Sequence, residues 1–73
     1  MKVTFYFDPP YGDLERINTD IDQVPGIGEQ VTLVGEGIAP KASTETWQVS
    51  SVDWLLGISE HKMQRAVVQL QRR

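Results

Sequence analysis

An all-β fold, a small five-stranded barrel that is only partly closed, is predicted by three features of the sequence. Apolar and polar residues alternate at the two-residue period of a half-buried strand in several short segments. Glycine and proline turns separate those segments. In Thr46–Leu56 the alternation slips by one residue at Ser50 and Ser51, as it does where a β-bulge bends a strand. The 73 residues make one domain, 1–73. A rolled sheet is expected over a flat one because closure hides strand edges.

Taken in order, Val3, Phe5 and Phe7 alternate with Thr4, Tyr6 and Asp8, giving a first strand with the apolar set inward and Tyr6 on the wetter face. Asp8–Asp13 carries two prolines and Gly12 and forms a turn. Leu14–Val24 fits two templates. Leu14, Ile17, Ile21 and Val24 have helical spacing, but Asn18, Thr19, Asp20 and Asp22 are weak helix formers. The strand is favoured, with Glu15, Ile17, Thr19 and Ile21 on one face, paired back on the first strand. Val24–Glu29 is a tight turn into a third strand, Gln30–Val34, with Val31 and Leu33 inward. Gly35–Glu45 lacks periodicity and forms a long loop between the third and fourth strands. The fourth strand holds Trp47, Val49, Val52 and Trp54, and its bend lets both indoles reach one core. Gly57–Met63 connects onward with one helical turn, and Gln64–Gln71 closes the sheet with Ala66, Val68 and Leu70 on one face.

The succession of the leading Val-Thr-Phe-Tyr-Phe strand, the Val24–Glu29 turn running into Val31–Leu33, the Trp47–Trp54 strand and a closing Val67–Leu70 resembles small SH3-like β-barrel proteins of unknown function from phages and mobile elements, including integron cassettes. The resemblance covers most of the chain and rests on structural motifs. It implies an SH3-like barrel and a mobile-element setting, and it carries no catalytic residues.

Composition narrows the chemistry. Without cysteine there is no disulfide or thiolate metal site, and with His61 the single histidine, one chain cannot build a multi-histidine site. No stretch approaches the ~20 apolar residues of a membrane span, and the amino-terminal segment lacks a signal-peptide core, so a cytoplasmic protein without membrane contact is expected. The net charge of −3 repels phosphate backbones unless basic residues cluster, and Lys41, Lys62, Arg65, Arg72 and Arg73 all fall in the second half. One core of this size supplies roughly 3–5 kcal/mol, which leaves a homo-oligomer as a source of further stability.

No catalytic set emerges. His61 lies between Glu60 and Lys62, two residues from Ser59, and is read as a solvated loop residue. The acids Asp20 with Asp22 and Asp8 with Asp13 are explained by turns and solubility. The pairs Gly26/Gly28 and Gly35/Gly37 lack the residues of a phosphate loop. No cofactor and no metal are expected. Candidate binding residues are Tyr6, Tyr11, Trp47 and Trp54, as aromatic contacts, with Arg65 and Arg72. The expected function is a non-enzymatic, protein-binding accessory module of a phage or mobile element, acting through a barrel surface or strand edge. The alternatives are a nucleic-acid-binding barrel and a homo-oligomer with a small-molecule site at its subunit interface.

Overall fold

The computed structural model describes residues 1–14, 16–34, 46–58 and 64–72. It contains five strands: β1 (Lys2–Phe7), β2 (Ile17–Asp20), β3 (Gln30–Val31), β4 (Trp47–Leu56) and β5 (Gln64–Arg72). They form one sheet in the order β2-β1-β5-β4-β3, curled into a half-barrel. The all-β, partly open barrel expected from the alternation is the fold observed. β3 and β4 are separated by residues 32–46, the long third connection.

Sequential neighbours β1–β2, β3–β4 and β4–β5 pair antiparallel, and β1 pairs with β5 in parallel. The parallel contact follows from parity. In an up-and-down path with an odd number of strands, the first and last run the same way, so the pairing that rolls the sheet joins parallel strands. This path leaves β2 and β3 as the two edges, running in opposite directions.

The core lies on the concave face. Val3, Phe5 and Phe7 of β1 stand opposite Ala66, Val68 and Leu70 of β5, and all six are buried. Leu70 in turn faces Val49, and Trp47 completes the layer with no exposed surface. These rows are the alternating positions of the sequence, because directly opposed residues in a ladder share a face. Tyr6 is half-buried on the convex face.

The phase slip in β4 is a bulge. Val49 faces Leu70 and Ser51 faces the next residue back, Gln69, so Ser50 is the extra residue. Its hydroxyl donates to an Asp8 carboxylate oxygen and also lies 3.2 Å from the Gln69 carbonyl oxygen. Asp8 sits in the turn after β1, where the Tyr11 N–H donates to the Asp8 carbonyl at 2.8 Å. The bulge is thereby fastened to the β1 turn. A hydrogen bond to a charged partner contributes ~1.5–3 kcal/mol. Ser50→Ala is expected to lower unfolding free energy by about 1–3 kcal/mol, read as a lower urea midpoint at unchanged slope.

Four expectations are corrected or limited. Of the expected strand Leu14–Val24, only Ile17–Asp20 is strand, prolonged by one rung in which the Ile21 N–H donates to the Met1 carbonyl at 2.9 Å. The third strand stops at Val31, because its partner β4 begins at Trp47 and no further rung exists. Leu33 is nonetheless buried, reaching the core from irregular backbone. Trp54 does not join the core and stays 50 % exposed. Its register opposite Ala66 puts it on the concave face as the slip requires, but β3 pairs only beside the Trp47 end of β4. The far half of β4 therefore overhangs the barrel. The Gly35–Glu45 loop and most of the Gly57–Met63 connection, with its expected helical turn, lie outside the described residues.

The turn before β3 depends on Gly28, whose φ of +89° is a conformation that side-chain-bearing residues rarely adopt. The Glu29 N–H donates to the Gly26 carbonyl at 3.1 Å, and the Gly28 N–H to the Val49 carbonyl at 2.9 Å. The turn thus hooks onto β4 beside the bulge.

Candidate functional site

The two sheet edges, β2 and β3, leave a seam along the open side of the half-barrel. Ile17, Thr19 and Ile21 line it from one edge, Val31, Thr32, Leu33 and Val34 from the other, with Phe5 among the lining residues. They enclose an apolar slot of about 280 Å³. That is at the lower limit of small-molecule pockets, which run ~300–1,000 Å³, and it suits a few apolar side chains better than a cofactor.

The backbone at the seam is available on the β2 side. The Ile21–Met1 rung fixes the alternation of the β1–β2 ladder: Ile17, Thr19 and Ile21 bond inward to β1. The main-chain N–H and C=O groups of Asn18 and Asp20 therefore point away from the sheet. Val34 stands 85 % exposed at the opposite lip.

A second, polar hollow of about 340 Å³ lies around Lys2, Thr4, Asn18, Asp20 and Arg65. Two pairs of its groups bond to each other. Thr4 Oγ1 donates to Asn18 Oδ1 at 2.8 Å, and the Met1 ammonium pairs with Asp20 Oδ1 at 2.8 Å. That ammonium, by hydrogen bond and by charge, holds the Asp20 carboxyl below the usual carboxylate range. Among the described residues no buried side-chain polar atom lacks a partner, and no three metal-ligating side chains converge. The hollow thus holds no buried side-chain polar atom without a partner, and the cations on its rim, Lys2 and Arg65, are not buried.

The six binding candidates do not form one surface. Trp47 is wholly buried, its ring 4.7 Å from that of Phe7 and 5.5 Å from that of Tyr11. It belongs to the core and cannot act as a contact platform, since its whole area is spent on internal packing. Tyr11 stacks edge-on against it, and the Tyr11 hydroxyl accepts a hydrogen bond from Arg72 Nη1 at 2.9 Å. Tyr6 sits on the convex face, its hydroxyl 3.5 Å from Arg16 Nη1. Arg65 and Arg72 are seven positions apart on β5 and so point to opposite faces, which divides the basic patch. Trp54 stands alone of the six at the overhanging end of β4. Lys41, Ser59, His61, Lys62 and Arg73 lie outside the described residues.

The slot residues were visible in the sequence only as ordinary core positions. One signal did mark them: Leu33-Val34 breaks alternation, so one of the two has no core to face. The same holds for Trp54-Leu55-Leu56. Comparison of the chain with protein-family models, with curated proteins and with solved structures returned no match.

Proposed function

We propose that this protein is a non-enzymatic binding module that receives an extended segment of a protein partner in the seam between β2 and β3. The observation that carries this reading is the apolar slot set beside an unpaired strand edge. Strand addition uses both features: main-chain hydrogen bonds supply affinity and alternate side chains filling pockets supply specificity. The outward backbone of Asn18 and Asp20 is the hydrogen-bonding rail, and the slot between Ile17, Ile21, Val31 and Leu33 takes the alternate side chains. Asp20, Asp22 and Glu29 are exposed near these edges, so the preferred segment alternates apolar with basic residues. An accessory role in a phage or mobile element is part of the same proposal, supported by the SH3-like resemblance.

The test is selection from a displayed library of extended peptides on the immobilised protein, with Ile21→Lys as the counter-target. Enriched peptides are expected to alternate apolar and polar residues and to bind the variant at least tenfold more weakly, the loss for displacing one buried apolar side chain being about 1.5–3 kcal/mol. Equal retention on both proteins, or no enrichment, refutes the seam as the site.

A further inference from the structure

The seam leaves one conspicuous surface unused. Trp54, Leu55, Leu56 and Ile58 are 50, 48, 61 and 79 % exposed; the first three end the overhanging half of β4, and Ile58 lies two residues beyond it. Beyond the bulge this half has β5 on one side and, among the described residues, no strand on the other, since β3 pairs only at Gln48 and Trp47. A long apolar strand edge of this kind pairs with another strand unless it is protected by charge, proline or a bulge. From Val52 to Ile58 the sequence holds one charge, Asp53, and no proline.

We propose that this edge is covered by the same edge of a second copy, the two β4 strands pairing antiparallel about a two-fold axis into a continuous sheet. A two-fold antiparallel pair must match residues of the same facing. The register centred on Trp54 does so with apolar partners throughout the concave face: Trp54 meets Trp54 of the partner subunit, and Val52 meets the partner's Leu56. On the convex face Asp53 meets the partner's Leu55, and within each chain Leu55 stands opposite Arg65 of β5. Asp53, the partner's Leu55 and the partner's Arg65 thus form a row across two strand spacings, roughly 10 Å, which a guanidinium on its long stem bridges. The symmetry supplies this complementary pair twice. The fit is specific to a second copy, because the apolar run and its flanking opposite charges complement themselves in one register. β3 does not obstruct it, since it occupies the edge of β4 before the bulge and the partner strand occupies the edge after it. This surface is separate from the seam, so the inference stands or falls independently of the peptide-binding proposal.

The experiment is sedimentation equilibrium of the purified chain up to about 100 µM, well above the micromolar dissociation constants of modest interfaces. The expected mass is twice the 8.2 kDa of one chain. Trp54→Lys and, separately, Leu56→Lys are expected to give monomers with unchanged far-UV circular dichroism, both side chains being exposed. Asp53→Arg is expected to weaken the dimer about tenfold through two like-charge contacts, and combining it with Arg65→Asp to restore it. Ile21→Lys, in the seam, should leave the mass unchanged. A monomer at the highest concentration, or a dimer that survives both lysine variants, overturns the proposal. Failure of the charge exchange to restore the dimer overturns the register.

Discussion

Trp47→Ala is expected to leave the protein unfolded at 25 °C. Removing a fully buried tryptophan costs ~3–5 kcal/mol, from lost transfer free energy and from the cavity left behind. Trp47 has no exposed surface and lies within 4.7 Å of the Phe7 ring and 5.5 Å of the Tyr11 ring, centroid to centroid. Aromatic pairs at such distances add roughly 0.5–1.5 kcal/mol each. A single core in a chain of this size supplies only ~3–5 kcal/mol in all, so the loss equals the whole. Trp47 is the largest of the fully buried side chains among the described residues, so no other single truncation to alanine leaves a larger gap. The check is the dispersion of amide proton shifts: it should vanish in Trp47→Ala and persist, with a lower urea midpoint, in Trp47→Phe. A cooperative urea transition retained by the alanine variant near the wild-type midpoint would count decisively against this account of the core.

Val68→Asp is expected to be as severe by a different route. Val68 is fully buried in β5, the middle strand of the sheet, with Phe5 opposite it on one side and Val52 on the other. The effective cost of an unpaired buried charge is several kcal/mol, and the described core around it offers no cation. Val68→Thr keeps the shape and adds only a hydroxyl, at about 1–3 kcal/mol. The threonine variant should therefore fold with a lowered midpoint while the aspartate variant does not fold at neutral pH. Burial pushes the carboxyl of the introduced aspartate up, so folding is less penalised once it is protonated. Circular dichroism should accordingly show more structure for Val68→Asp at about pH 4 than at pH 7. The reverse order would show that the site is wet.

What the sequence disclosed, and what it hid, divide along one line. Positions whose facing is set within their own strand were legible: Val3, Phe5 and Phe7, or Ala66, Val68 and Leu70, declare a buried side by alternation alone. The bulge was legible for the same reason, since the extra Ser50 is a break in a local period. Properties set by a neighbouring strand were hidden. Trp54 faces the concave side as its phase demands, yet stays exposed because β3 begins only at Gln30, opposite Gln48, and nothing in Val52–Leu56 records where β3 begins. The seam is hidden likewise. Ile17, Ile21 and Val31 look like any core residues until the pairing order shows that β2 and β3 are edges. For Trp47 the sequence allows both a core role and a contact role, and complete burial leaves only the first.

The parallel ladder between β1 and β5 has a consequence for how the protein comes into being. It joins Lys2 to Arg65 and Phe7 to Leu70, so the middle of the sheet is assembled from stretches made at very different times on the ribosome. Until β5 has been synthesised, β1 with β2 and β3 with β4 are separate hairpins that share no ladder, and isolated two-stranded hairpins are at best marginal in water. Their apolar faces wait uncovered for the strand that bridges them. Synthesis of β5 must therefore precede closure of the sheet, the search for partners so distant in sequence is slow, and unpaired apolar strands left exposed in that interval are prone to aggregate.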